Sequence, residues 1–181
     1  MLLMHAAPAS VLAQDDLLEA LGRLVESGKV KIAGISGDLQ VISRYFLQRP
    51  VTLTTAQFAL NTSSMGFATE TERNGDLLLV ANHPYGGPRG IHGTRAALDA
   101  LAHSEDLPLI LHEKLCDGAE DPQMMPELLI NMLLDGTGVS AVVSAMIQVN
   151  HIQSNVRAVS QCRFSSEELR AMRAILATAA G

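Results

Sequence analysis

Four short polar clusters stand where apolar runs end. His5 follows Leu2 to Met4, and Ser36-Gly37-Asp38 follows the run from Lys29 to Ile35. Gln57, with Asn61 just beyond, closes a Thr- and Val-rich run from Val51 to Phe58, and Asn82-His83 follows Leu77 to Ala81. Asp38 apart, these side chains can be neutral near pH 7. Neutral donors and acceptors suit an uncharged polar ligand, such as an amide or a carbonyl. The pattern alone fits a second reading equally well, because polar residues gather wherever strands surface. Cys116 and Cys162 lie far apart and form no CxxC or Cys/His cluster. Neither a disulfide framework nor a metal site is expected from them.

The elements that would position these groups alternate. Asp15 to Ser27 carries Leu17, Leu18, Leu21, Leu24 and Val25 at helical spacing, with Glu19, Arg23 and Glu26 outside the stripe. Gly28 sits just past its end, where a left-handed residue commonly closes a helix. Leu39 to Phe46 is expected to be a short helix. Gly86, Gly87, Pro88, Gly90 and Gly93 make a loop before a helix from about Thr94 to Leu101. Leu109-Ile110-Leu111 reads as a short strand or an irregular piece. Pro126 to Leu134 reads as a helix with proline at its start. Ser140 to Ala145 is the fifth strand and Asn150 to Val159 a helix. Ser165 to Glu168 is a capping box opening the last helix.

Five βα units of roughly 30 residues imply a parallel sheet with helices outside. The pattern fits an open doubly wound sheet or part of a (β/α)8 barrel. No GxGxxG follows the first strand, which leaves the dinucleotide-binding doubly wound fold without support. The 181 residues are expected to form a single domain.

Composition narrows the partners. Hydrophobic residues reach 48% and the net charge is -6, without a basic run, so nucleic acid is not an expected partner. No run approaches the ~20 apolar residues of a membrane span, and the first residues lack the pattern of a signal peptide. A cytoplasmic protein is expected.

Several segments together resemble the aldo-keto reductase family. Gly28 to Ser36 (GKVKIAGIS) is similar to the family's "GKVRAIGVS", and Leu2 to His5 to its fourth barrel strand, which ends in an active-site histidine. Asp15 to Ser27 is similar to "LEALEELVKEGK", Ala56 to Asn61 to "VQVEYNLL", and Val80 to Gly87 to "IAYSPLGGG". Ala141 to Val156 is similar to "VIVGMRSPEHLEENV", and Phe164 to Leu169 to "FSAEEL". The pieces occur in family order along nearly the whole chain.

The resemblance implies a partial (β/α)8 TIM barrel with about five parallel-strand βα units, running from the fourth strand to the eighth. The first three units would be absent. It implies an NAD(P)H-dependent carbonyl oxidoreductase if the chain is part of a complete barrel, acting on a small carbonyl substrate. His5 would orient and polarise the carbonyl. Ser36 and Gln57 would hold the nicotinamide carboxamide, and Asn155 would contact adenine. The cofactor would be NADP or NAD, held weakly or not at all by this chain alone.

Departures from the family are equally specific. Gly37 replaces the asparagine that usually follows the serine, and Asn82 replaces an aromatic that stacks on the nicotinamide. Ile147 and Gln148 stand near the place of a basic residue that grips the 2′-phosphate, and His151 offers only a pH-dependent charge. The family's acid catalyst is a tyrosine, supported by a lysine and an aspartate, all from the N-terminal half. Tyr45 and Tyr85, the two tyrosines here, match neither position. The alternative expectation is therefore a truncated, non-catalytic remnant that binds or self-associates through open sheet edges.

Overall fold

A computed structural model of the chain describes residues 1–48, 53–61, 77–86, 107–117, 121 and 123–179, with 96, 99, 102, 103 and 105 singly. Its elements run β1 (Leu2–His5), α1 (Ala9–Leu12), α2 (Asp15–Glu26), β2 (Ala33–Gly37), α3 (Leu39–Gln48), β3 (Thr55–Ala59) and β4 (Leu78–Asn82). They continue α4 (Leu109–Asp117), α5 (Met124–Leu134), β5 (Val139–Val143), α6 (Val149–Ser160) and α7 (Ser166–Ala179). The glycine-bearing loop at 87–93 and most of the helix expected over 94–101 lie outside the described residues, although Ala96 and Asp99 are helical.

The five strands form one sheet in chain order, β1-β2-β3-β4-β5, and every neighbouring pair is parallel. That order decides between the two architectures. A doubly wound sheet reverses direction at a switch point, with strands on both sides of the first. A monotonic parallel order is the arrangement of consecutive barrel strands.

Alternate strand residues point to opposite faces. Ala33 and Ile35 of β2, Ala56 and Phe58 of β3, and Leu79 and Ala81 of β4 join one buried cluster. The same cluster takes Leu18 and Leu21 from α2, Ile42 from α3, Leu111 from α4, Met132 from α5 and Met172 from α7. The helices therefore cover one face of the sheet. The other face carries Gly34, Ser36, Thr55, Gln57 and Asn82.

Strand positions follow from ladder partners rather than from apolar runs. Lys29 to Ile32 was expected in β2, yet the strand starts at Ala33, because β1 begins at Leu2 and pairs there with Ala33. Leu2 N–H donates to the Ile32 carbonyl at 2.9 Å, and earlier residues have no β1 partner. The third strand likewise starts at Thr55 and reaches Ala59. Leu109-Ile110-Leu111 is helical, not extended. The Pro108 carbonyl accepts from Leu111 and His112, and Leu107, Leu111 and Leu115 bury one stripe. α5 starts two residues before Pro126, which still leaves the proline in the first turn, where no helical N–H is lost.

The expected helix ends are present. Gly28 has φ +70 beyond the C-cap of α2. Ser165 and Glu168 form the capping box: Ser165 N–H donates to Glu168 Oε2 at 2.7 Å, and Glu168 N–H donates to Ser165 Oγ at 3.3 Å. Gly34 is required by contact rather than by φ. A Cβ there would run into the Thr55 carbonyl oxygen and come within 2.7 Å of the Thr55 Cβ. Gly34→Ala should therefore cost about 1–3 kcal/mol of stability, because the β2–β3 ladder must part to admit it. Urea unfolding measures this, and a shift below ~0.5 kcal/mol would mean that the strands are not this closely paired.

Candidate functional site

Ladder register assembles the site. His5 pairs with Ser36, and Ser36 with Gln57, across three neighbouring strands. Register partners in a parallel sheet share a face, so the three side chains form one row on the face away from the helices. His5 Nδ1 lies 3.4 Å from Ser36 Oγ. When the Ser36 hydroxyl donates to Nδ1, His5 carries its proton on Nε2 and presents that N–H to a ligand. Ser36 is 4% exposed, Gln57 is half-buried, and His5 is exposed. Thr55, one step below Gln57 on the same face, buries Oγ1 with no hydrogen-bond partner among the described residues. This face therefore has both a polar row and unmet hydrogen-bonding capacity.

Backbone geometry singles out the same end of the sheet. The two non-glycine residues with positive φ among those described are Ala6 at 50° and His83 at 52°. Each immediately follows a strand, β1 and β4 respectively. Such residues cost on the order of 1 kcal/mol or more and concentrate at functional sites. His83 Nδ1 is 3.0 Å from Asn82 Oδ1, so Asn82 and His83 form a pair on the exposed rim.

Asn155 stands apart from this row. It lies on α6 and lines a groove of about 530 Å³ between β5, α5 and α6. Among the described residues the lining is mostly apolar, with Ser140, Ser144, Asn155 and Ser160 as its polar members and no cation. From β2 to β5 is three strand spacings, about 14 Å. Ser36 and Asn155 could thus touch the two ends of an extended ligand, though not of a small one. Arg157, next on α6, lies close enough to Asp121 to help hold that carboxyl below its usual value, after the Gln123 amide and Arg163. It is not among the residues that line the groove.

Sequence reasoning puts Tyr45 on the helix after β2 and Tyr85 in the loop after β4 and gives neither a role, yet both have defined surroundings. Tyr45 is 8% exposed and meets Phe46 edge to face, with ring centroids 5.4 Å apart. Tyr85 donates its hydroxyl to Asn155 Oδ1 at 3.3 Å. Burial raises the Tyr85 phenol above its usual value, with Ser144 acting the other way. Only a side-chain contact across 70 residues could have revealed this pair. Cys116 and Cys162 are free thiols. No helix among the described residues is long and apolar enough to cross a membrane.

No family model matches the sequence, and no curated protein matches it. Solved structures do match. An aldo-keto reductase from Bacillus halodurans in its holo form superimposes with a TM-score of 0.65 at 18% identity, over 96% of this chain and 58% of that one. An aldo/keto reductase from Klebsiella pneumoniae, solved with NADP and acetate, gives 0.64 at 20% identity, over 96% and 57%. An aldose reductase from Giardia lamblia gives 0.56 at 15% identity, over 90% and 50%. The chain spans less than three-fifths of the length of these proteins. Five parallel strands in chain order, with helices on one face, give this chain the fold of a partial aldo-keto reductase barrel.

Proposed function

We propose that the chain is the cofactor-facing part of a nicotinamide-dependent carbonyl oxidoreductase, corresponding to the C-terminal five βα units of the barrel and folding as one domain. The observation that carries this is the row His5–Ser36–Gln57, in register across three strands on the face opposite the helices. Ser36 and Gln57 supply a hydroxyl and an amide side by side, which fit a carboxamide. When bound, a reduced nicotinamide supplies hydride. This chain's own residues bind and orient: Gln57 and Ser36 hold the ring's amide, and His5 donates Nε2–H toward a substrate carbonyl oxygen. The NADP in the Klebsiella structure and the NADPH in a further neighbour support the cofactor class.

The groove beside Asn155 has no cation among its described lining residues, so a 2′-phosphate gains little from them. NAD and NADP are expected to bind alike, with dissociation constants no better than high micromolar. Calorimetric titration with both tests this, and Gln57→Ala should weaken each about tenfold. Unchanged binding in that variant would show that the nicotinamide lies elsewhere.

A second reading is a non-catalytic, self-associating remnant, and it has its own observation. Among the described residues β1 and β5 each have one unpaired edge. Large apolar residues lie exposed beside them: Met1 at 67%, Val143 at 51%, Ile147 at 92% and Val156 at 63%. Unpaired edges with apolar flanks associate. Light scattering at micromolar concentration should give at least twice the 19.3 kDa chain mass. A clean monomer with a cooperative melt would rule out exposed edges in solution. Five strands do not double to eight, so a dimer would not close a regular barrel. The codons upstream of Met1 separate the two readings. In-frame strand ends carrying an aspartate, a tyrosine and a lysine favour the enzyme, and a stop codon favours the remnant.

A further inference from the structure

The contact between Tyr85 and Asn155 joins two parts of the proposed ligand path. β4 ends at Asn82, the chain turns through left-handed His83, and Gly86, at φ +63, closes the turn by donating its N–H to the His83 carbonyl at 2.9 Å. This turn directs Tyr85 across to α6, where its hydroxyl donates to Asn155 Oδ1 at 3.3 Å. Asn155 is also one of the few polar groups in the groove between β5 and α6. A phenol is protonated, and so a donor, throughout the neutral range, and burial moves Tyr85 further in that direction.

An asparagine side chain recognises adenine with both halves of its amide. Oδ1 accepts from the N6 amino group and Nδ2 donates to N7. In this chain one of the two acceptor positions of Oδ1 is already taken by a donor from a different element. Resting on the reading of Asn155 as the adenine contact, we infer that Tyr85 is a latch that competes with adenine for Asn155, holding its amide toward β4 and weakening adenine binding while the contact is made. The latch lowers affinity for the adenine end alone and leaves the nicotinamide end untouched. Its chemistry predicts a sign opposite to that of an ordinary binding residue: losing the hydroxyl should strengthen binding.

The test uses the full chain with two probes, ADP-ribose for the adenine end and nicotinamide mononucleotide for the other. Ligand-observed saturation-transfer NMR reads weak dissociation constants for both. Tyr85→Phe keeps the ring and removes the donor. It should tighten ADP-ribose about 3- to 10-fold, the worth of one hydrogen bond, and leave nicotinamide mononucleotide unchanged. A second readout leaves Tyr85 intact. The chain has two tyrosines and no tryptophan, so Tyr45→Phe makes Tyr85 the sole fluorophore of its kind. Its emission should change on adding ADP-ribose and not on adding nicotinamide mononucleotide. Equal or weaker ADP-ribose binding in Tyr85→Phe would overturn the latch and leave the adenine placement standing. Binding of nicotinamide mononucleotide without any binding of ADP-ribose would remove the adenine placement, and the latch with it.

Discussion

Mixed with NADPH and a panel of aldehydes, the 181-residue chain alone is expected to give no measurable carbonyl reduction. The developing alkoxide needs a proton donor, and a positioned general acid contributes about 10²–10⁴ in rate. Neither tyrosine stands in the row of His5. Tyr45 packs in the core against Phe46, and Tyr85 is bonded to Asn155 on α6. His5 is exposed, so water competes for its Nε2–H and for the substrate oxygen. The carbonyl can be oriented, but the charge that forms on it is poorly answered. A steady-state assay following NADPH absorbance decides the matter. Turnover of ~1 per second or more, within the ordinary enzyme range, that is lost in His5→Ala would contradict the expectation.

The largest stability effect is expected at Arg163. This residue, between α6 and α7, ties three segments together. Its backbone N–H donates to Glu127 Oε1 at 2.9 Å, its Nε to Glu127 Oε2 at 2.8 Å, and its far nitrogen to Asp121 Oδ2 at 2.8 Å. The Glu127 side chain is only 7% exposed. Arg163→Ala leaves that carboxylate buried with one backbone partner, a change of about 3 kcal/mol. Arg163→Lys keeps the charge but cannot fork to two carboxylates, so it should fall between. Urea unfolding at one protein concentration, chosen because association would shift the midpoint, measures both. A loss below ~0.5 kcal/mol for the alanine variant would show that the network is loose in solution.

The same region gives a pH dependence. The Gln123 amide and then Arg163 hold Asp121 below its usual value. Burial alone would raise Glu168, but the Ser165 amide and the Lys114 ammonium outweigh it and lower it. Groups whose carboxyls are depressed in the fold stabilise it above the unfolded value. They lose that stability as pH falls through the folded one. Unfolding midpoints should therefore hold steady down to about pH 4–5 and drop below it.

The fold was legible where local chemistry sets it. The stripe of α2, the left-handed Gly28 and the Ser165–Glu168 capping box are all written within a few residues of where they act. Strand limits were less legible, because Val30 and Ile32 look extended by type but have no β1 partner beyond Leu2. The helix at Leu109 was hidden by three successive apolar residues. Its signal was the four-residue spacing of Leu107, Leu111 and Leu115. The row His5–Ser36–Gln57 could be proposed from strand ends, yet only ladder register places the three side by side. Tyr85 and Asn155 share no local pattern, so their contact was beyond sequence reading.

The central claim is that the His5–Ser36–Gln57 row receives the nicotinamide end of a dinucleotide. NMR of the isotope-labelled chain, titrated with nicotinamide mononucleotide, tests it most directly, with the His5→Ala and Gln57→Ala variants assigning the resonances. The account predicts that the His5 ring and the Gln57 side-chain amide shift together along one saturable curve, while the Asn155 amide stays still. Shifts confined to Asn155 and α6, with His5 and Gln57 unmoved, would contradict it.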